Sequence, residues 1–284
     1  MSCDTTETQQ KLDIITHQLV HLCNEFCRYK EDELIQHNKR RRQEHPNPIS
    51  RCGAQVFSQS DEDGVTIEIL RRLGVDGGSY LEVGVGPGTQ CNSLVLAAMG
   101  WSGVWVDIGD LCFEIPNPER LHYIKQRVDA ENVKDVANLG LSKLKADRYD
   151  VISIDIDGLD YYLCEKLLTS HETRPRLFIV EYNADFPPPV EFVQPYNKDY
   201  QWDNTNFYGA SLQSMSNLFS KHGYRLAACN AGSGCNAFFI EDLDDPNFSD
   251  VPKDLRDLYV DPHYLLATKF GHAGSVNTVR HVLR

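Results

Sequence analysis

The sequence is short of positive charge, of long apolar runs and of paired cysteines. Its 284 residues include 28 Lys and Arg against 41 Asp and Glu, which gives a net charge of −13. Such an excess of negative charge repels a phosphate backbone and argues against general nucleic-acid binding. No stretch approaches the ~20 apolar residues of a membrane span, and residues 1–10 lack the apolar core of a secretory signal. We therefore expect neither general nucleic-acid binding nor a membrane location.

The nine cysteines are dispersed and include no Cys-x-x-Cys pair, which argues against a zinc ribbon. Because their number is odd and no export signal is apparent, we expect reduced thiols and a cytoplasmic protein. Hydrophobic residues make up 41 % of the chain, which is enough to bury a sizeable core.

Apolar residues near the start of the chain repeat at alternating steps of three and four. They are Leu12, Ile15, Leu19, Leu22, Phe26 and Tyr29. This spacing places them on one stripe of a helix. The stripe needs a partner, either the main domain or the same helix of a second subunit in a homodimer. Pro46 and Pro48 should end the helix, so we expect a helix and linker over residues 1–50 and a catalytic domain over residues 51–284.

From residue 57 onward, short apolar runs alternate with helical patterns. The predicted strands cover residues 79–85, 103–106, 121–128, 151–156 and 177–180. Alternation at this spacing predicts an α/β fold with a parallel sheet covered on both faces. Two more strands, at 224–229 and 236–240, flank a turn of glycine and small polar residues, which predicts an antiparallel hairpin. The expected sheet is therefore seven-stranded and mostly parallel, with a C-terminal antiparallel hairpin and an added N-terminal helix.

The first predicted strand runs into a glycine-rich turn with Gly84, Gly86 and Gly88 at alternate positions. Glycines let a ligand approach the backbone, and the start of the following helix offers free N–H groups. A dinucleotide site would have the spacing G-x-G-x-x-G. Here the spacing is G-x-G-x-G, and Glu82 precedes it as an acid that can bind an amino group. The pattern favours S-adenosylmethionine (SAM), which has an amino-acid end and no pyrophosphate.

Acids also follow the second and third predicted strands. Asp107 ends the second strand, where a carboxylate can accept both ribose hydroxyls. Asp129 and Ala130 follow the third strand and are positioned to contact an adenine amino group. Each aspartate has a plainer alternative as a loop or helix N-cap residue. Because ligands of open α/β sheets bind at the carboxyl ends of strands, we expect these residues in one cofactor site with Glu82.

The densest group of acids follows the fourth and fifth strands. Asp155 and Asp157 lie two residues apart, so on an extended chain they point to the same side. Glu181 and Asn183 follow the fifth strand. Oxygen ligands from neighbouring strand ends suit Mg²⁺ or Ca²⁺, which makes Asp155, Asp157 and Glu181 candidate metal ligands. The alternative is that these acids bind the SAM amine and a polar substrate without a metal, with Asp155 in the cofactor site.

Residues 184–211 form a long segment rich in aromatic residues and proline. Such segments are often lids or binding loops, so we expect a wall of the pocket for a small-molecule substrate, with a structural flap as the alternative. For methyl transfer, Asp155 and Asp157 are the candidate bases. Glu181, Asn183 and Tyr208 are expected to orient the substrate.

Residues 151–181 resemble the FkbM family of SAM-dependent methyltransferases. The family pattern is an apolar strand, D-x-E-G-x-E, a helix, a Lys/Arg-Pro turn and a strand that ends in Glu. Its places are filled here by Asp155, Asp157, Gly158, Asp160 and Glu181, with Asp at both inner Glu places. Residues 58–64 and 82–84 are also similar to that family, and the resemblance covers roughly residues 57–240. It implies a Rossmann-like class I methyltransferase fold, SAM as cofactor and O-methylation of a small hydroxylated or sugar-like acceptor.

Other functions stay open from the sequence alone. A lyase or cyclase that uses the SAM sulfonium as a leaving group would need the same binding residues. An N-methyltransferase acting on an amine is consistent with the aromatic segment, because aromatic rings hold cations. A non-catalytic interaction module would use the N-terminal helix, although it has no need for acids at every strand end.

Overall fold

The structure is a computed structural model that describes residues 3–170, 174–242 and 245–264. It separates a first unit that ends at Glu44 from a second unit that begins at His45. In the part of the chain that the structure describes, no helix is both long and apolar enough to cross a membrane.

The first unit is one helix, α1 (Cys3–Glu44), of 42 residues. It ends two residues before Pro46, as expected, because the residue before a proline disfavours helical geometry. The apolar stripe is exposed on this helix: the values run from 53 % for Ile15 to 69 % for Leu22. The side chain of Tyr29 lies outside the described part of the chain.

The second unit alternates strands and helices. Its helices are α2 (Glu62–Leu73), α3 (Leu94–Ala98), α4 (Val133–Leu144), α5 (Asp160–Leu168), α6 (Leu212–Lys221) and α7 (Leu255–Leu258). Its strands are β1 (Ser79–Val83), β2 (Ser102–Asp107), β3 (Leu121–Lys125), β4 (Val151–Ile154), β5 (Leu177–Glu181), β6 (Tyr224–Cys229) and β7 (Asn236–Glu241). Two single 3₁₀ turns lie at Ser50–Cys52 and Pro246–Phe248.

The seven strands form one sheet in the order β3-β2-β1-β4-β5-β7-β6. All pairs from β3 to β5 are parallel, while β7 is antiparallel to both β5 and β6. The predicted fold is therefore confirmed, including the C-terminal hairpin. The order 3-2-1-4-5 is that of doubly wound Rossmann-like sheets, in which ligands bind where the strand order reverses. Here that switch point lies between β1 and β4.

The central strands are buried along their whole length, as strands covered by helices on both faces should be. Every residue of β1 and of β4 is buried. Aromatic side chains fill the space next to the hairpin, where the rings of Phe219 and Phe239 stack with centroids 4.0 Å apart. Burial of each such side chain contributes roughly 1.5–3 kcal/mol, so this core stabilises the hairpin side of the sheet.

Residues just after α1 are tied to β6 within the second unit. Asn47 Nδ2 donates to the Ala227 carbonyl at 2.8 Å, and Ser50 Oγ donates to the Cys229 carbonyl at 2.8 Å. Ile49 between them is fully buried. The division of the chain at residues 44 and 45 thus lies a few residues before the boundary after residue 50 that the sequence suggested.

Candidate active site

The strand ends at the carboxyl edge of the sheet form one row of site residues. The N–H of Gly84 bonds to β2, and the N–H of Asp155 bonds to β1, so both residues continue the parallel ladder by one position. Glu181 ends β5 and lies opposite Asn236, the first residue of β7. From one side to the other, the row is Asp107, Gly84, Asp155, Glu181 and Asn236. Its centre is the switch point of the sheet.

An open cleft of about 490 Å³ lies at this row, within the range of roughly 300–1,000 Å³ that small-molecule sites occupy. Its walls are the glycine turn, the ends of β2 and β3, and the turn after β4. The lining residues are 83–87, 106–108, 126–128 and 155–157, with Gln59, Gln90, Leu159 and Tyr200. Of the predicted site residues, Gly84, Gly86, Asp107, Asp155 and Asp157 are therefore brought together around one cavity.

The three glycines of the turn have different roles. Gly84 has φ of +95°, and a Cβ there would overlap the carbonyl oxygen of Asp155. Gly88 has φ of +82°, and its Cβ would lie 3.0 Å from a methyl group of Leu111. Gly86 has φ of +53°, and a Cβ there would meet nothing within 4 Å. Gly84 thus permits close strand packing, whereas Gly86 leaves open space in the cleft.

Asp107 connects the glycine turn to the second strand. Its Oδ2 accepts the Gly86 N–H at 2.8 Å, and its Oδ1 accepts the Gly109 N–H at 2.7 Å. A carboxylate has about four lone-pair positions, so two stay available for hydroxyl groups in the cleft. The carboxylate is fixed in place before a ligand arrives.

Glu82 does not line the cleft, in contrast to the expected contact with an amino group. It is 2 % exposed, and its oxygens accept the N–H groups of Asn92 and Ser93, each at 2.8 Å. The Ser93 hydroxyl also donates to it. Burial raises the pKa of this carboxyl, although the three donors oppose the shift. Glu82 therefore holds the residues that precede α3 and does not contact the cleft.

Asp129 and Ala130 also lie outside the cleft lining. Asp129 Oδ1 accepts the N–H groups of Glu131 at 2.8 Å and Asn132 at 3.2 Å. The carboxylate therefore organises the turn before α4, which is the loop alternative that the sequence left open. At this strand end, Val128 lines the cleft instead, so the third strand offers an apolar surface where an adenine contact was expected.

Asp155 and Asp157 both line the cleft at the end of β4. Burial raises the pKa of Asp155 well above its ordinary value, and the charges of Asp160 and Asp157 raise it further. Asp157 has φ of +56°, a conformation uncommon outside glycine and tolerated best by Asn and Asp. The turn after β4 is thus shaped to present two carboxylates to one cavity.

Asp160 fixes the turn after β4 through two hydrogen bonds to its backbone. Its Oδ1 accepts the Ile156 N–H and its Oδ2 accepts the Gly158 N–H, both at 2.9 Å. The residue is 1 % exposed, and burial raises its pKa to about 6 in spite of these bonds. Asp160 therefore fixes the backbone on both sides of Asp157.

Glu181 lies next to Asp155 in the row. Its Oε2 is buried without a hydrogen-bond partner among the described residues. Burial raises the pKa of Glu181 well above its ordinary value, with the charge of Asp155 as the next cause. The acid sits beside the cleft without a counter-charge of its own.

Asn183 and Tyr208 lie outside the cleft lining, although the sequence suggested that they orient a substrate. Asn183 is fully buried, and its Nδ2 donates to the carbonyls of Asn206 and Tyr208, each at 2.9 Å. Tyr208 is 2 % exposed, with its hydroxyl 3.4 Å from that of Tyr264. Both residues hold together the segment that follows β5.

That segment crosses the carboxyl edge and contributes a different tyrosine to the cleft. Tyr200 lines the cavity and donates to the Phe207 carbonyl at 2.9 Å. Its ring closes over the turn after β4, where a Cβ on Gly158 would lie 2.5 Å from it. Arg127 donates to the Lys198 carbonyl at 2.5 Å. The segment is thus both a wall of the cleft and a flap tied to the end of β3.

A metal centre is not assembled from the expected ligands. Within residues 3–170, 174–242 and 245–264, no three His, Cys, Asp or Glu side chains are grouped as a metal ion would require. The set of Asp155, Asp157 and Glu181 predicted from the sequence is therefore not a preformed site.

Acids at the start of α2 form a separate buried cluster. Asp63 Oδ2 accepts the N–H groups of Val56, Phe57 and Ser58 at 2.6–2.9 Å. Glu62 Oε1 accepts from Asn230 Nδ2 at 2.9 Å. No side-chain cap is formed at this helix start, although the sequence has the form of a capping box. The carboxylates instead tie residues 56–60 to the hairpin.

Residues of this region that sequence reasoning missed include Gln59, Arg127, Tyr200 and Asn236. Gln59 lies within the stretch that resembles the FkbM family, and Tyr200 lies within the aromatic segment, so each had a regional signal. Asn236 had none, because its position opposite Glu181 depends on the register of the hairpin.

The comparisons with known proteins give structural likenesses only. No protein-family model and no curated protein matches the chain. It is similar to the MycE methyltransferase of the mycinamycin biosynthetic pathway, solved with Mg and SAH (S-adenosylhomocysteine), at 22 % identity and a TM-score of 0.26. That match covers 37 % of this chain and spans only 27 % of the MycE chain.

Two further solved structures to which the chain is similar are methyltransferases. One is the 1,6-didemethyltoxoflavin-N1-methyltransferase of Burkholderia thailandensis, at 12 % identity over 62 % of this chain and 74 % of that chain, with a TM-score of 0.38. The other is CalO1 of calicheamicin biosynthesis, at 17 % identity over 61 % and 52 %, with a TM-score of 0.35. Likenesses this distant carry no argument about the activity of this chain.

Proposed function

We propose that the protein is a SAM-dependent methyltransferase acting on a small polar acceptor. The observation that carries this proposal is the cleft at the switch point between β1 and β4. There Gly86 leaves open space beside the fixed carboxylate of Asp107. The FkbM-like pattern of residues 151–181 supports the same class and favours a hydroxylated acceptor.

The residues around the cleft fit the parts of SAM. Asp107 has free lone pairs for the two ribose hydroxyls. Val106, Ile108 and Val128 offer apolar surface for the flat adenine ring. Asp155 and Asp157 provide negative charge for the amino group and the sulfonium. One cavity therefore offers acids for the charged groups of SAM, a carboxylate for its ribose hydroxyls and an apolar surface for its adenine ring.

SAM, when bound, supplies an electrophilic methyl group. The chain would hold the acceptor in line with that group and remove its proton, which are the main sources of rate in such a displacement. The raised pKa of Asp155 makes its carboxylate a better base than an exposed aspartate. Tyr200 covers the turn that carries both acids and helps to exclude water from them.

The thiols support a reducing, cytoplasmic setting. The seven cysteines whose side chains the structure describes are all free, and Cys91, Cys164 and Cys229 are buried. Free thiols in these numbers are typical of compartments in which glutathione keeps cysteine reduced.

Calorimetric titration of the full chain with SAM, SAH and NAD, with and without Mg²⁺, tests the proposal. We expect micromolar binding of SAM and SAH and none of NAD, because the glycine turn lacks dinucleotide spacing. An effect of Mg²⁺ on SAM affinity would restore a metal role for the acids. Binding of NAD alone, or of none of the three, would overturn the proposal and leave the interaction-module interpretation.

A further inference from the structure

Three side chains that can accept hydrogen bonds lie next to one another in the row of strand ends. They are those of Asp155, Glu181 and Asn236. Glu181 faces Asn236 across the antiparallel pair of β5 and β7, and Asp155 continues β4 next to Glu181. Adjacent strands lie about 4.8 Å apart, and residues directly opposite each other project from the same face. The charge of Asp155 is the strongest electrostatic influence on Glu181, as expected for neighbours.

Two oxygen atoms in this group lack a donor. Glu181 Oε2 and Asn236 Oδ1 are both buried without a hydrogen-bond partner among the described residues. Asn236 is only 3 % exposed, and its Nδ2 donates to Glu62 Oε1 at 3.3 Å. An ionised carboxylate only accepts hydrogen bonds, so the amide nitrogen of Asn236 is the group that bonds to Glu62. The amide oxygen is the end that stays without a partner.

Positive charge is also missing from this group. None of the ion pairs formed within the described part of the chain includes Asp155, Asp157 or Glu181. Buried acceptors without donors are costly, so the arrangement calls for a ligand rich in donors. An ammonium group brings three N–H donors and one positive charge, whereas a hydroxyl brings one donor and no charge.

We propose that Glu181, Asn236 and Asp155 form an acceptor subsite that binds the ammonium group of an amine-bearing methyl acceptor, such as an amino alcohol or an amino sugar. This inference rests on the proposed function, because it assigns the cofactor to the Asp107–Gly84–Asp155 half of the row. The acceptor then takes the Asp155–Glu181–Asn236 half. Asp155, in the middle, adjoins both.

The test uses the full chain saturated with SAH and titrated with pairs of probes that differ in one group. The pairs are ethanolamine with ethylene glycol, D-glucosamine with D-glucose, and putrescine with 1,4-butanediol. We expect at least one amine to bind, and its hydroxyl counterpart to bind about tenfold or more weakly, because the hydroxyl lacks the positive charge and has fewer hydrogen-bond donors to offer. Equal binding within the pairs, or no binding by any amine, would overturn the inference.

Glu181→Gln is the matching variant, because the amide keeps the shape and removes the charge. We expect amine affinity to fall about tenfold while SAH affinity stays unchanged; Glu131→Gln, on the exposed turn before α4, is the control. Unchanged amine affinity in Glu181→Gln would contradict the subsite. If SAH itself fails to bind the wild-type chain, the proposed function fails instead, so the two failures are distinguishable. The comparison within probe pairs needs no variant and holds even if Glu181→Gln does not fold.

The exposed stripe of α1 carries a second, independent inference. Steps of three and four residues are those of the a and d positions of a coiled coil. Leu12, Leu19 and Phe26 take the a positions, while Ile15, Leu22 and Tyr29 take the d positions. The described members of this seam are 53–69 % exposed. Ile14 and Val20 are exposed as well but lie outside the seam.

Charges beside the seam indicate which helix would cover it. Glu25 occupies a g position and Lys30 the following e position. In a parallel pair of identical helices, these two positions of opposite chains lie next to each other, so opposite charges meet on both sides of the seam. Lys30 also pairs with Glu33 of its own helix at 2.6 Å, which leaves it on the flank of the seam.

We infer that a second copy of this chain pairs with α1 as a parallel two-stranded coiled coil. Sedimentation equilibrium of the full chain should give a dimer, and Leu19→Glu should shift it to monomer. Val20→Glu places the same charge outside the seam and should leave the dimer intact. Glu25→Lys should weaken the dimer, and adding Lys30→Glu should restore it. A monomeric wild-type chain, or equal effects of Leu19→Glu and Val20→Glu, would overturn the inference.

Discussion

The start of α2 and the end of β4 both carry closely spaced acids, but their carboxylates meet different surroundings. At the start of α2, Asp63 alone accepts three backbone N–H groups. At the end of β4, Asp155 and Asp157 line an open cleft, and Glu181 next to them has a buried oxygen without a partner. The first cluster accepts hydrogen bonds from the chain, although Asp63 Oδ1 is also buried without a partner among the described residues. The second cluster adjoins an open cleft that a ligand can enter.

This difference separates acids that hold the fold from acids that serve the site. A buried carboxylate with all its donors supplied stabilises the loop around it. A buried carboxylate without donors destabilises the free protein and gains when a cationic ligand binds. Stability and ligand affinity should therefore respond in opposite ways to mutations in the two clusters.

The largest expected effect comes from a matched pair of glycines. Gly86 and Gly74 both have positive φ, at +53° and +65°, and a Cβ on either would meet nothing within 4 Å. Valine at either position should cost about 1–2 kcal/mol of stability from the left-handed backbone. Only Gly86→Val should abolish SAM binding in calorimetry, because its side chain fills the cleft. Normal SAM affinity in Gly86→Val would remove the cofactor site from this turn.

Mutations in the two acid clusters should have different effects on stability and on SAM affinity. Asp63→Ala leaves three N–H groups without an acceptor, of which that of Ser58 is buried, and should lower the free energy of unfolding by about 1–3 kcal/mol. Its SAM affinity should stay unchanged under conditions in which it is folded. Asp155→Asn should leave stability equal or higher and weaken SAM binding about tenfold or more. Urea unfolding and calorimetry measure both; matching losses of affinity in the two variants would contradict the separation.

The stability of the free protein should depend on pH through the buried acids at and beside the cleft. Asp155, Asp160 and Glu181 have raised pKa values in the folded protein, so the folded state binds their protons more tightly than the unfolded state. Their contribution to stability is present below the ordinary carboxyl pKa of about 4 and is lost as pH rises through the folded values, about 6 for Asp160.

Urea unfolding of the free protein at a series of pH values checks this dependence. The free energy of unfolding should fall as the pH rises from about 4 to above 6, and Asp155→Asn should reduce the slope. A rise in stability over this range would contradict the raised pKa values of these acids.

The smallest expected effect concerns two tyrosines of the segment after β5. Tyr200→Phe removes one hydrogen bond to the Phe207 carbonyl next to the cleft and should weaken SAM binding about two- to tenfold. Tyr208→Phe changes a hydroxyl that lies outside the cleft and should leave affinity unchanged. Calorimetry distinguishes them, and a larger loss in Tyr208→Phe would return that residue to the site.

Most of the fold followed from the sequence because it depends on local patterns. Apolar runs located all seven strands, and the prolines ended α1 where they were expected. The glycine turn, Asp107, Asp155 and Asp157 were found in the same way, since strand ends of a parallel sheet meet at one edge. For these residues, their position after a predicted strand was enough to place them in the site.

The remainder of the site depends on which donors surround a side chain, and that is set by packing between distant segments. Glu82 and Asp157 are both acids beside glycines, yet one bonds to the start of α3 while the other faces the cleft. Asn183 and Tyr208 turned inward for the same reason, whereas Asp129 bonds to N–H groups of its own turn. Asn236 entered the row through hairpin register, which no local pattern encodes.

Amide hydrogen exchange of the full chain, with and without SAH, tests most directly whether the unpartnered acids form the ligand site. SAH should slow exchange at residues 84–88, 107–109 and 155–158, where the cleft lies, and should leave residues 56–58 unchanged, because none of them lines the cleft. Protection that appears first at residues 56–58, or none around the turn after β4, would contradict the division between scaffold and site.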